Sequence, residues 1–292
     1  MTKLADLTTS CPPNWCAGCG NLPLWAAFKN AAVQKGWDNT NSVMVAGIGC
    51  HGHIINFTKL TSFEGLHGRP LPVATGIKLA NHNLNVFVFT GDGDCLAEGG
   101  NHFLHTCRRN HDLTIILHDN GVYALTAGQT SPESPKGYIS KSTPDGNPDN
   151  PLNPLALAIT AGATFVAREY AGNIKNLTEL IIKANEHKGL SLVDVLQPCI
   201  IFNKEFTHEF FQKNCYYLDA GHDVTNMSQA YNKSLEFGIK QIPLGIFYDV
   251  EKPSYESQQP QIREKTLVGQ SIEYVEYNAR IKDLTNLFKK YC

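Results

Sequence analysis

Asp92 and Asn120 are placed in this sequence where a carboxylate and an amide can do chemistry. Each follows a run of apolar, β-branched and aromatic residues, Val86-Phe87-Val88-Phe89 before Gly91-Asp92-Gly93 and Thr114-Ile115-Ile116-Leu117-His118 before Asp119-Asn120. Such runs read as buried parallel strands, and open α/β sheets bind ligands at the carboxyl ends of their strands. A carboxylate and an amide oxygen presented side by side, next to glycines that let phosphate approach the backbone, make a site for Mg²⁺ carrying a diphosphate. Mg²⁺ takes few protein oxygens and fills its shell with water and phosphate. Taken singly, Gly91-Asp92-Gly93 and Asn120-Gly121 would each read as a turn; the argument rests on the pair.

Nine cysteines raise a second question. An odd number in a chain whose first residues, Met1 to Ser10, lack the basic-then-apolar order of a signal peptide points to ligation or burial rather than bridges. Cys16 and Cys19 lie in Trp15-Cys16-Ala17-Gly18-Cys19-Gly20, Cys50 in Gly47-Ile48-Gly49-Cys50 after the strand-like Val43 to Ala46, and Cys199 after Ser191 to Leu196 by way of Gln197-Pro198. Strand-end loops can bring these four together. Four thiolates could hold a structural zinc, although zinc folds usually place two Cys-x-x-Cys pairs close in sequence, or an iron–sulfur cluster. Cys95, Cys107, Cys215 and Cys292 suit simple burial, and Cys11 could compete with Cys16 as a ligand.

The elements that must position these residues follow from periodicity. Leu24, Ala27, Phe28 and Ala31 predict a helix ending near Gly36, and Val73 to Ala80 predict another. Leu96 to Arg109 can run as a helix between the two Asp92 and Asn120 strands, with Arg108-Arg109 favouring its C-terminal dipole end. Thr126 to Asn153, rich in Gly, Pro, Ser and Thr, reads as a long functional loop. Leu177, Leu180, Ile181 and Ala184 restore helical spacing before the Ser191 strand. The alternation predicts an α/β fold, a mostly parallel sheet with helices on both faces, over residues 1–200. Residues 201–292 read as an extension, with a helix at Met227, Ala230, Tyr231 and Ser234 stopped at Gly238 and a strand over 242–248. Its Phe206, Phe210, Phe211, Tyr216 and Tyr217 fall outside a clear core pattern and suggest contact with a partner, with cover for the chain's own sheet as the alternative.

Composition bounds the function. A chain of 292 residues buries about three quarters of its unfolded surface without disulfide help. A formal charge of −2 with 18% charged residues argues against a nucleic-acid or membrane-surface binder, and no apolar run reaches spanning length. The expectation is a cytoplasmic protein with small-molecule and protein partners.

The ordered motifs Trp15-Cys16-x-Gly18-Cys19-Gly20, Gly47-Ile48-Gly49-Cys50, His67-Gly68-Arg69, Gly91-Asp92-Gly93-Asp94, Gly99-Gly100-Asn101-His102, Arg108-Arg109-Asn110, Asp119-Asn120 and Tyr123 to Gln129 resemble those of the β subunits of 2-oxoacid:ferredoxin oxidoreductases, over most of the chain. The sequence departs from the family pattern at Ala127-Gly128-Gln129, where Gly-Gly-Gln is common, and at Pro132-Glu133-Ser134, where Pro-Thr-Thr is common.

The resemblance implies a thiamine diphosphate-binding fold in which Asp92, Asn120 and the Val122 carbonyl hold Mg²⁺. It implies that Ile48, Gly49, Cys50, His51, His67, Gly91, Gly93, Asp94, Ala124, Leu125 and Thr126 border the cofactor, with His51 and His67 as candidate catalytic residues. Cys16, Cys19, Cys50 and Cys199 would hold a 4Fe–4S cluster. The implied reaction is oxidative decarboxylation of a 2-oxoacid to acyl-CoA and CO₂, with coenzyme A as co-substrate and electrons passed to ferredoxin, or its reverse. The lean is to 2-oxoglutarate over pyruvate, since His51, His53 and Lys59 could neutralise a second carboxylate. The glutamate that activates the cofactor resembles a residue of a separate α subunit, so a heterodimer with a shared site is expected. A non-oxidative thiamine diphosphate decarboxylase or synthase and a non-catalytic metal-binding module are the other classes to test. His82, His111, His187, His208 and His222 read as surface or hydrogen-bonded residues.

Overall fold

A computed structural model describes residues 3–237, 241–270 and 289. The chain opens with α1 (Asn21–Lys35) and β1 (Ser42–Ala46), followed by α2 (Ile54–Phe57) and the short β2 (Ser62–Glu64). Next come α3 (Pro70–Ala80), β3 (Asn85–Gly91), α4 (Gly100–Arg109) and β4 (Thr114–Asp119). A small hairpin of β5 (Val122–Tyr123) and β6 (Gln129–Thr130) precedes α5 (Pro154–Ala161), β7 (Phe165–Tyr170), α6 (Ile174–Glu186) and β8 (Ser191–Leu196). The described chain then adds α7 (His208–Asn214), β9 (Cys215–Tyr217), α8 (Met227–Ser234) and β10 (Ile242–Asp249).

Eight strands form one sheet in the order β2-β1-β3-β4-β8-β7-β10-β9. Neighbours run parallel except β10, which is antiparallel to β7. The chain turns outward from β1 to β2 and then inward to β3 and β4, so the order reverses between β1 and β3. A crevice opens at such a point outside the strand ends. Strand alternation sends Phe87 and Phe89 to the face covered by α1 and α6, and Val86 and Val88 to the face covered by α3, α4 and α5. Burial on both faces explains the continuous apolar runs of β3 and β4.

Several elements differ from the sequence expectation. The helix read from Leu96 begins instead as a wide π-type turn over Gly93–Glu98, and α4 starts only at Gly100. Turns of this kind recur at functional sites. Periodicity indicates no element between His51 and Gly65, yet the segment contains α2 and β2. β7 was not anticipated because Arg168 and Glu169 interrupt its apolar run. Both are buried in the structure, and Arg168 Nε donates to Asp194 Oδ2 at 2.7 Å across the β7–β8 register.

In the 201–292 extension, β10 and β9 join the main sheet. Phe211 is buried among Tyr170, Leu196, Ile242 and Leu244, with Phe206 and Phe210 packed against them. These phenylalanines cover the chain's own sheet. Gly238 and Cys292 lie outside the described residues. The Thr126–Asn153 stretch is a long loop held by Tyr138, whose hydroxyl donates to the Phe202 carbonyl at 2.8 Å, and by Asn147, whose amide donates to the Ser134 carbonyl at 3.1 Å.

α1 follows directly on the first cysteine pair, Cys16 and Cys19, so its anchoring can be tested. Phe28 is fully buried, with its ring 5.2 Å from Phe87, 5.0 Å from Phe89 and 6.0 Å from Trp37. Phe28→Ala should cost about 3–5 kcal/mol, read as a lower urea midpoint with unchanged slope. A loss below about 1 kcal/mol would contradict this packing.

Candidate functional site

The ends of β1, β3 and β4 build one cleft. Ile48, Gly49, Cys50, His51, His67, Gly91, Asp92, Gly93, Asp94, Asn120, Val122, Tyr123, Ala124, Leu125 and Thr126 line it. Gly91 pairs in register with His118, so Asp92 and Asn120 leave neighbouring strands close together. Asp92 is buried, and Ser131 donates its hydroxyl hydrogen to Asp92 Oδ2. Burial pushes the Asp92 carboxyl up to about 7, against the opposing pull of Ser131 and the local backbone N–H groups. A carboxylate in this setting gains from a cation. Asn120 Oδ1 accepts from Val122 N at 3.0 Å, and the Asn120 carbonyl accepts from Asn203 Nδ2 at 2.9 Å. The Asn120 side chain is thereby fixed beside the Val122 backbone. A Cβ on Gly93 would lie 2.2 Å from the Tyr123 ring, so only glycine fits beneath that ring.

Asp94 lines the same cleft, but its oxygens are engaged within the protein. Oδ1 accepts from His67 Nδ1 at 2.7 Å, Gly68 N at 2.7 Å and Ile48 N at 3.2 Å, while Oδ2 accepts from Thr90 Oγ1 at 2.7 Å. His51 Nε2 stands 3.6 Å from Oδ2. Burial would raise the Asp94 carboxyl; His51, the Gly68 N–H and the Thr90 hydroxyl outweigh it and hold the pKa at about 2. A Cβ on Gly47 would fall 1.8 Å from Asp94 Oδ2, which accounts for the glycine at the end of β1.

A second cleft, of about 260 Å³, adjoins the first and is lined by Cys16, Cys19, Cys50 and Cys199 together with Trp15, His53, Asn120, Ala124, Leu125 and Gln197. Four chain segments converge here for local reasons. Gly18 has φ +85°, a left-handed conformation that closes the turn in which Cys19 N donates to the Cys16 carbonyl at 2.9 Å. A Cβ on Gly20 would meet Gln197 Cγ at 2.4 Å, so this glycine lets the first cysteine pair press against the segment leading to Cys199. Trp15 Nε1 donates to the Cys50 carbonyl at 2.7 Å. The thiols crowd one another: burial first, then charge on Cys19, Cys199 and Cys16, pushes Cys50 up to about 11. Cys11 is exposed and not among the lining residues. Cys95 and Cys107 are buried elsewhere. Among the described residues, no three His, Cys, Asp or Glu side chains are placed to share one metal ion.

Other expected residues fall differently. Lys59 is exposed and lines neither cleft, His51 faces Asp94, and His53 lines the cysteine cleft, so these three do not form one carboxylate-binding group. Arg108 and Arg109 end α4 and line neither cleft. Ser131, Asn21, Gln197 and His118 were missed, because single polar residues in a loop, at a helix start or at a strand end carry no spacing signal. No helix among the described residues is long and apolar enough to cross a membrane.

The comparisons with known proteins agree with this geometry. Residues 47–195 match the thiamine pyrophosphate enzyme family, C-terminal TPP binding domain, so the fold is that of a thiamine diphosphate enzyme's binding domain. Residues 199–264 match the C-terminal family of the pyruvate ferredoxin oxidoreductase β subunit. The chain is 48% identical to a Sulfolobus 2-oxoacid:ferredoxin oxidoreductase subunit β, covering 83% of this chain and 84% of that one. It is 35% identical to the 2-oxoglutarate synthase subunit KorB of Methanocaldococcus jannaschii, over 87% and 94% of the two chains. Its fold superposes with a TM-score of 0.88, at 35% identity and 95% coverage of both chains, on the 2-oxoglutarate:ferredoxin oxidoreductase from Magnetococcus marinus with 2-oxoglutarate, coenzyme A and succinyl-CoA bound. The chain belongs to the 2-oxoacid:ferredoxin oxidoreductase β-subunit family.

Asp94 predicts a pH signature. Its folded pKa lies below the ordinary value, so it contributes stability above the unfolded pKa that is lost as pH falls through the folded one. Asp94→Asn should lower stability by about 2 kcal/mol near neutral pH, and the gap to the native protein should close between about pH 4 and pH 2. Urea midpoints measured across that range decide it; a gap independent of pH would contradict the assignment.

Proposed function

We propose that this chain is the β subunit of an enzyme that converts a 2-oxoacid, 2-oxoglutarate in the first instance, with coenzyme A to the acyl-CoA and CO₂. The electron pair released passes singly through a 4Fe–4S cluster to ferredoxin, and the reverse reaction would join CO₂ to an acyl-CoA. The observation that carries this reading is that Cys50, Asn120, Ala124 and Leu125 line both clefts, so the diphosphate site and the cysteine site share a wall. A decarboxylase without an oxidant has no use for four thiols in that position. The choice of 2-oxoglutarate is supported by the structural relative that carries this substrate, and not by the His51, His53 and Lys59 argument.

The donor sets fit the two groups. Asp92, Asn120 and the Val122 carbonyl offer Mg²⁺ one carboxylate and two neutral oxygens, which leaves room for phosphate and water oxygens. The buried Asp92 carboxyl is relieved by that cation. Cys16, Cys19, Cys50 and Cys199 line one pocket without three of them meeting at a point. A single zinc gathers its thiolates at about 2.3 Å, whereas a cluster places each on a different iron. Thiamine diphosphate held there would supply carbanion chemistry toward a 2-oxoacid ketone and an electron sink for its decarboxylation.

The chain's own residues hold and orient. Asp94 draws the Ile48 backbone and the His67 ring toward the cleft. His67 keeps its proton on Nδ1 toward Asp94, leaving Nε2, 3.9 Å from Glu98 Oε2, at the more open side of the cleft. His51 is buried against Gly91 and Asp94 and closes the floor. No glutamate of this chain is assigned to the aminopyrimidine end of the cofactor; an α subunit supplies it, and the chain alone is inactive.

The test is a set of variants in the complex co-expressed with its α subunit. Asp92→Ala should abolish retention of thiamine diphosphate and Mg²⁺ while the brown colour stays, and undiminished cofactor would overturn the first assignment. Cys199→Ser should deplete iron and sulfide, whereas Cys107→Ser should not. Zinc without iron in the native complex would overturn the second. Acyl-CoA formation over a panel of 2-oxoacids should be fastest with 2-oxoglutarate; a higher kcat/KM with pyruvate would overturn that choice.

A further inference from the structure

The long loop after β6 returns to the first cleft, and two serines carry it there. β6 pairs Thr130 in register with Val122, so Ser131, the next residue, leaves the hairpin beside the turn Asn120-Gly121-Val122. Ser131 and Ser134 are both buried. Ser131 N donates to Ser134 Oγ at 2.8 Å, and Ser134 N donates to the Ser131 carbonyl at 3.1 Å, so the two residues close a tight turn on each other. A serine hydroxyl has one proton to give and two lone pairs. Inside the turn both oxygens are acceptors, Ser131 Oγ receiving Glu133 N at 3.4 Å. Both protons point outward: Ser131 donates to Asp92 Oδ2, and Ser134 donates to the Gly121 carbonyl at 2.6 Å.

These two acceptors belong to different segments of the cleft. Asp92 follows β3, and Gly121 lies between Asn120 and Val122 beyond β4. One short turn thus ties the carboxylate to the segment that offers the two neutral oxygens. That segment is pinned from another direction by Asn203 Nδ2, which donates to the Asn120 carbonyl at 2.9 Å. Asn147 Nδ2 secures the turn itself through the Ser134 carbonyl. At Asp92, apart from local backbone N–H groups, Ser131 is the donor, and it takes Oδ2; Oδ1 has no side-chain partner among the described residues. Turning the carboxylate until both oxygens face a cation would break a buried hydrogen bond to a charged acceptor, one of the stronger kinds.

We propose that this turn sets the cation specificity of the diphosphate site, selecting Mg²⁺ over Ca²⁺. By engaging Asp92 Oδ2 and the Gly121 carbonyl it restricts Asp92 to one ligating oxygen and fixes the spacing of Asp92 from Asn120 and Val122. The inference rests on the reading that these three residues hold the cation. Mg²⁺ demands a compact octahedron with oxygens at about 2.0–2.1 Å, whereas Ca²⁺ takes about six to eight oxygens at about 2.3–2.6 Å and accepts carboxylates through both oxygens. A rigid donor set with a one-oxygen carboxylate suits the smaller ion. Ser131 and Ser134 are positioning residues, acting through Asp92 and the Gly121 turn.

The experiment measures thiamine diphosphate binding by ultrafiltration to the intact complex, stripped of cation and cofactor, as Mg²⁺ or Ca²⁺ is raised. In the native complex the half-saturating Ca²⁺ concentration should exceed that of Mg²⁺. Ser131→Ala should raise the Mg²⁺ value about 10-fold or more and the Ca²⁺ value by less, so that their ratio falls; Ser134→Ala should lower the ratio as well. Ser131→Cys, close in size but a weak donor, carries the test if Ser131→Ala does not assemble. A native complex that does not favour Mg²⁺ would overturn the inference. So would variants with the native ratio, including the case in which both cations weaken in equal proportion, as a merely structural turn would give; the cation site itself would stand. Thiamine diphosphate binding that needs no divalent cation would instead overturn the assignment on which the inference rests.

Discussion

The site depends on one buried carboxylate. Asp94 accepts hydrogen bonds from the loop after β1 through Ile48, from the His67–Gly68 segment, and from Thr90 at the end of β3. These segments come together at the point where the strand order reverses. Without this common acceptor the N–H groups of Ile48 and Gly68 would lose their partner. The engagement also fixes two glycines: Gly47 must lack a Cβ to admit the carboxylate, and Gly68 takes φ +72° to aim its N–H at it. One side chain therefore sets the shape of a cleft that fifteen residues line.

The two aspartates of Gly91-Asp92-Gly93-Asp94 divide the work. Asp94 is saturated with donors and strongly acidic, so it remains an ionised structural anchor. Asp92 is equally buried, yet apart from local backbone N–H groups its side chain is met only by the Ser131 hydroxyl, and burial pushes its carboxyl the opposite way. Environment separates two identical groups two residues apart: donors on both oxygens outweigh burial at Asp94, and burial outweighs the donors at Asp92. In the second cleft burial and the neighbouring thiols push Cys50 upward in the same way.

Much of this was legible in the sequence because it was written in continuous signals. The apolar runs of β3 and β4 placed Asp92 and Asn120 on adjacent strand ends, and the loops of Cys50 and Cys199 followed strands that could be read directly. What was lost lay in single residues whose meaning depends on distant partners. β7 was obscured by Arg168, which is charged in the sequence but paired with Asp194 in the core. His118 carried no pattern beyond one histidine at a strand end. The two departures from the family pattern acquire physical content only in three dimensions. Ala127 holds φ +95°, a conformation suited to the glycine usual there, and Glu133 is buried, raised by burial and by its neighbour Asp119. The phenylalanines of the extension looked unpartnered because the residues they pack on, Tyr170 of β7, Leu196 of β8 and Ile242 and Leu244 of β10, lie on both sides of them in the chain.

The central claim is that the diphosphate cleft and the cysteine cleft act as one electron-transferring unit through their common wall. The most direct measurement is rapid mixing of the oxidised complex with 2-oxoglutarate under anaerobic conditions, following the visible absorbance of the cluster in native and Asp92→Ala proteins. The account predicts bleaching within a single turnover in the native complex and none when Asp92 is replaced. Bleaching by 2-oxoglutarate in an Asp92→Ala complex shown to be free of thiamine diphosphate would contradict it.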